Sequence, residues 1–184
     1  YPAKVFLAGN HDRYVINEHA LDHNPYFGSH EGVLHSRWTR SQLSPENLAW
    51  LRALKIRFQA DAGSFHLDMI HGRHGSDEET LDADSIDSSR NILYICGHTH
   101  VPRNQTVGKA RILNPGSLGK PLDSDSRASF GIVHITEERA DFEVVRIPYD
   151  IDRTVDALLE REVPWRTGLI NLSLIHISEP KRLL

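Results

Sequence analysis

Two short apolar runs and one strand-like segment of this chain each end in a polar turn that carries histidine. Lys4–Ala8 leads into Gly9, Asn10, His11 and Asp12. Phe65–Ile70 leads into His71 and Gly72, and Ile92–Cys96 leads into Gly97, His98, Thr99 and His100. Short apolar runs bounded by glycine read as buried parallel strands. In α/β sheets, ligands collect at the carboxyl ends of such strands. The pattern therefore predicts an α/β fold with a site along one sheet edge. His98 and His100, two apart, reach one centre only where the chain turns sharply, and Gly97 and Pro102 supply that turn.

A length of 184 residues suits one domain with its own core. Twelve histidines against one cysteine and one methionine point to a metal site without thiolates. Imidazole nitrogens and an amide oxygen suit Mn, Fe, Zn or Ni. Cys96, inside an apolar run, reads as buried packing. A lone cysteine forms no internal disulfide, which makes the cytoplasm the expected compartment. A net charge of −4 argues against a nucleic-acid partner held by bulk charge. The apolar runs are too short to span a bilayer, so no membrane partner is expected.

Along the rest of the chain, residues 13–40 read as a polar connection dotted with His19, His23, His30 and His35. With Trp38 and Arg40 these could instead line a substrate rim. Ser44 and Pro45 open a helix whose Leu48, Leu51 and Leu54 form a stripe expected on the core. Ser76–Ser89 is acidic and reads as a helix with a solvated face. Strands are expected at 110–113, 130–135 and 142–147. Asp152 is expected to cap a last helix with Val155, Leu158 and Leu159 inward. Parallel strands with crossing helices, then a meander, make a layered α/β sandwich.

The three turns taken together, with 113–119 and 123–130, resemble the calcineurin-like metallophosphoesterase superfamily and its small bacterial and archaeal members. The resemblance implies a layered α/β/β/α sandwich, here lacking its first strands and helices. It implies two divalent metal ions sharing a bridging hydroxide that attacks phosphorus in a phosphodiester or phosphomonoester. Asn10, His71 and His98 would bind one metal and His100 the other. His11 would contact the phosphoryl group or leaving oxygen, with Asp12 orienting its ring. Arg73, His74, Lys120 and Arg127 are candidate contacts to a small phosphorylated substrate, nucleotides among them. A non-catalytic scaffold on the same fold is the alternative, though a scaffold has no need of all five motif side chains. A metallo-β-lactamase-like site would want an H-x-H-x-D-H run, and the chain after His100 offers none.

The family's first two motif blocks, an Asp-x-His turn and a Gly-Asp-x-x-Asp turn, do not occur in this sequence. Tyr1 is not Met and Lys4 already lies in an apolar run, so a truncated start and an inactive fragment are expected. Residues 172–180 resemble a translated sequencing adapter. The expected division is a partial domain over 1–171 and a non-native tail over 172–184, which takes His176 out of the protein. His66 and His134 have no assignable role.

Overall fold

The computed structural model describes residues 5–17, 19–22 and 30–174. His23, Lys181 and the tail from 175 on lie outside them. The helices are α1 (Asn10–Ile16), α2 (His30–Ser41), α3 (Pro45–Arg52), α4 (Ile151–Glu160) and α5 (Arg166–Leu174). The strands are β1 (Arg57–Ala62), β2 (Phe65–Ile70), β3 (Ile92–Ile95), β4 (Arg103–Val107), β5 (Ala110–Asn114), β6 (Ala128–Ile135) and β7 (Ala140–Ile147).

Five strands form a mixed sheet in the order β1-β2-β3-β5-β4, and β6 pairs with β7 in a second sheet. β3 is the centre, parallel to both β2 and β5. Its apolar run is explained by burial on both faces. Ile92, Tyr94 and Cys96 face one cluster with Leu81, Ala110 and Ile112. Leu93 and Ile95 face the other, where Ala140, Val133, Ile135 and Phe142 of the second sheet pack on Leu113. The sheet is thus sandwiched between the β6–β7 pair and the 71–91 crossover, whose Leu81 is 1% exposed. The fold is α/β with a central sheet and flanking helices, as expected.

Several local expectations are corrected. Of the run read as a strand at Lys4–Ala8, the described residues 5–8 form only a single parallel bridge, Leu7 to Lys55. Phe6 is 50% exposed, edge-on to Trp50. Residues 13–40 include most of α1 and all but the last residue of α2, which polar composition concealed. α3 starts as read, with Ser44 accepting a hydrogen bond from the Asn47 N–H, but its leucine stripe is only half-buried. The acidic 76–89 segment holds a single 3₁₀ turn, Ala83–Ser85, because its acids pair with arginines elsewhere. The helix read as the last is α4, which is capped by Asp150, not Asp152, and is followed by α5; its Leu159 faces outward at 49% exposure. β1 and β4 were not anticipated; both are polar edge strands, whose open side needs no apolar residues.

The central position of β3 yields a stability prediction. Leu93→Ala removes a side chain that is 1% exposed. It is expected to cost about 2–5 kcal/mol, read as a lower midpoint in urea denaturation.

Candidate metal centre

The parallel register of β2 and β3 brings the second and third polar turns side by side. Met69 pairs with Ile95 at the end of the ladder, and the Gly97 N–H donates to the His71 carbonyl at 2.8 Å. On the other side, Cys96 N–H donates to Leu113 O at 2.9 Å. Asn114, at the end of β5 and 1% exposed, then ties down the turn. Its Nδ2 donates to Gly97 O at 2.6 Å and Thr99 Oγ1 at 3.1 Å, while its Oδ1 accepts from Gly116 N–H at 2.8 Å. Within the turn, His98 (φ 62°) and His100 (φ 58°) both adopt left-handed backbone. Each such residue costs about 1–3 kcal/mol and persists only where its surroundings enforce it.

The first turn reaches the same place through α1. A Cβ on Gly9 would lie 2.9 Å from His71 Cε1, and one on Gly97 would lie 3.3 Å from His71 Nδ1. The His71 ring is therefore held between the two turns, closely enough that a Cβ at position 9 would have to displace it. Asn10, 4% exposed, presents Oδ1 3.0 Å from His71 Nε2. Two donors sharing one ion at about 2.1 Å each stand about 3 Å apart, so this pair fits a common metal. The His71 and His98 ring centroids are 5.6 Å apart, near the separation of about 5 Å that two imidazoles on one tetrahedral ion would show. Among the described residues, no group of three or more His, Cys, Asp or Glu side chains is placed to hold a metal ion. The donor set needs the Asn10 amide oxygen. His100 Nδ1 lies 2.7 Å from Lys120 O. A carbonyl only accepts, so Nδ1 carries the proton and Nε2 keeps its lone pair for a ligand.

The electrostatics favour neutral imidazoles. Burial first, then the neighbouring His98, lowers the pKa of His71, and burial lowers that of His100. His11 retains exposed surface, but its ring is partly desolvated. That burial, followed by the positive charge of Lys120 and the neighbouring His35, His100 and His71, pushes it down to about 4. Burial also lowers the pKa of Lys120, whose ammonium lies 5.3 Å from the Trp165 ring centroid. Cys96 is 7% exposed, and burial raises its thiol to about 11, as expected for a packing residue rather than a thiolate ligand.

Asn10, His11, His71, His98, His100 and Lys120 thus gather in one region. The other candidate contacts are each held by a carboxylate. Arg73 Nε donates to Glu79 at 2.9 Å, and Arg127 forks onto Asp125 at 3.0 and 2.7 Å. His74 Nε2 is 3.3 Å from Asp68, a carboxylate with 3% side-chain exposure that Arg57 grips at 2.7 and 2.6 Å. Asp12, three residues on, accepts from Gly9 N–H at 2.8 Å and so caps the start of α1. Of the rim candidates, Arg40 donates to the Val15 and Ile16 carbonyls that end α1, and His35 Nδ1 meets Pro164 O at 3.1 Å. A cavity of about 1080 Å³ borders the donor turns at Gly9, His71 and Gly72 and is walled by Leu51, Leu54, Ile56 and Ile70. Sequence reading missed Asn114 and Tyr14. Asn114 was signalled only by its place before a Pro-Gly turn, and Tyr14 only by its i+4 spacing from Asn10.

Asn114→Ala leaves Gly97 O and Gly116 N–H without this buried partner. A loss of about 2–4 kcal/mol is expected, read by chemical denaturation, with the 97–100 amides showing faster hydrogen exchange.

Residues 5–138 match the calcineurin-like phosphoesterase superfamily domain. An uncharacterized protein of Methanocaldococcus jannaschii is 28% identical over 181 residues, covering 88% of this chain and 72% of that protein. The crystal structure of a hypothetical protein from Pyrococcus horikoshii shares the fold with a TM-score of 0.75 at 16% identity, over 92% of this chain and 71% of that one. A metallophosphoesterase from Sphaerobacter thermophilus aligns with a TM-score of 0.65 at 26% identity, over 91% and 74% of the two chains. The match across the three histidine turns and the sheet that carries them places this chain in the calcineurin-like phosphoesterase superfamily.

Proposed function

We propose that the protein is a metal-dependent hydrolase of phosphodiester or phosphomonoester bonds, acting on a small phosphorylated substrate. The observation that carries this reading is the approach of Asn10 Oδ1 to His71 Nε2 at 3.0 Å beside the His98 ring. Superfamily membership implies divalent metal ions, and the nitrogen and amide-oxygen donors suit Mn, Fe, Zn or Ni. Asn10, His71 and His98 would hold one ion and His100, through Nε2, a second. When bound, the metals supply Lewis acidity toward phosphoryl oxygen and a water made nucleophilic near neutral pH.

The chain's own residues do the rest. The partly desolvated Lys120 ammonium bears electrostatically on His11 and His100, where it can meet a phosphoryl oxygen. His11 is neutral in the free protein because its surroundings disfavour a further positive charge. An arriving anionic phosphoryl group reverses that balance, so the imidazole takes up a proton it can pass to the leaving oxygen. Support for this reading comes from the donor set, the family match and the likeness to a protein titled a metallophosphoesterase.

Expressed in its full open reading frame, the protein is expected to hydrolyse an aryl phosphodiester or monoester with added Mn²⁺ and to lose that activity to a chelator. His98→Ala should abolish turnover together with metal uptake. His11→Ala should lower turnover about 10²–10⁴-fold while elemental analysis shows unchanged metal content. Bound metal with no activity across a broad phosphoester panel would instead mark a scaffold.

A further inference from the structure

Tyr14 is 3% exposed and stands behind both Asn10 and His11 on α1, at spacings of four and three residues. Its ring meets the His11 ring edge-on, with centroids 5.3 Å apart and planes at 69°. Its hydroxyl receives Asn10 Nδ2 at 3.3 Å. Burial and a hydrogen bond to the Glu78 side chain raise the pKa of that hydroxyl, against the bond from Asn10. Arg13 holds Glu78 in turn, forks onto Asp77 at 2.7 and 2.8 Å, and lies 5.0 Å over the Tyr14 ring.

A carboxylate held by Arg13 only accepts, so the Tyr14 hydroxyl proton points toward Glu78. The Tyr14 oxygen is then an acceptor toward Asn10, and Asn10 must turn its NH₂ group to Tyr14. That leaves the amide oxygen facing His71. A side-chain amide turned the other way would offer the metal an NH₂ group, which is no ligand. Glu78 lies a few residues beyond His71 in sequence, so one segment carries both a donor and the anchor that aims the other donor.

We propose that Tyr14, fixed by Glu78 and Arg13, is the positioning residue that aims the Asn10 amide oxygen at a divalent metal and backs the His11 ring. The proposal rests on the reading of Asn10 as a metal ligand. Partners of this kind set ligand orientation, and their loss weakens metal binding about 10–100-fold.

The test measures Mn²⁺ and Zn²⁺ affinity of the chain by titration calorimetry, with thermal unfolding of the metal-free protein in parallel. Tyr14→Phe keeps the ring and removes the hydroxyl. It is expected to weaken affinity about 10–100-fold, and Glu78→Gln, which can donate to the Tyr14 oxygen and free the amide to turn, should do the same to a smaller degree. A purely structural tyrosine would lower the unfolding temperature and leave affinity where it was. Should Tyr14→Phe not fold, the affinity of Glu78→Gln decides the question alone. Unchanged affinity in these variants, alongside loss in Asn10→Ala, overturns the proposal and leaves the metal reading standing. A chain that takes up neither metal, or an Asn10→Ala variant that binds as before, removes the metal reading and the proposal with it.

Discussion

Because β2 and β3 run parallel, both segments leave the sheet at the same edge, and everything chemical in this molecule follows from where they emerge. An antiparallel pair would have put His71 and His98 at opposite ends of the sheet. Parallel pairing demands a long crossover, here residues 71–91, and that crossover is not idle chain. It begins with the His71 donor, carries Asp77 and Glu78 to Arg13, and drops Leu81 under the sheet. One connection therefore closes the core, supplies a donor and anchors the helix that brings Asn10.

The parts of the fold that could be read from sequence are those where burial acts on consecutive residues. β3 announces itself because both faces are covered, so Ile92, Leu93, Tyr94 and Ile95 are all apolar. β1 and β4 escaped because an edge strand has one open side and no such demand. The acidic run at 76–89 misled for a related reason. Charge density reads as solvation, yet Asp77, Glu78 and Glu79 are drawn to Arg13 and Arg73, and the Arg13 partners lie 64 and 65 residues away. Nothing local marks an acid as a partner rather than a solvated group.

The site was more legible than its supports. Asn10, His11, His71, His98 and His100 stood out because donor-bearing side chains cluster at strand ends, and the structure does bring their turns together. Asp12 also has a structural task that motif logic did not name: it sits three residues after Gly9, the spacing at which a carboxylate caps a helix start. Asn114 and Tyr14 spend their polar atoms on protein partners rather than in the donor cluster. Their roles are defined by the far ends of their hydrogen bonds, which spacing alone does not reveal.

The turn at 97–100 shows how local cost and global convergence are balanced. Left-handed backbone at two non-glycine residues is unfavourable in isolation, and a straighter exit from β3 would avoid it. That exit would carry His98 and His100 away from His71. Asn114 opposes the straightening with bonds to Gly97 O and Thr99 Oγ1 from a fully buried position, where an unmade hydrogen bond costs most. The Lys120 carbonyl does the same for the His100 ring. Strain in the turn is thus maintained by two groups outside it, one at the end of β5 and one in the loop that follows. Convergence of the imidazoles is consequently a property of the β3–β5 pairing as much as of the motif itself, and a substitution that loosens β5 should scatter the donors before it unfolds the sheet.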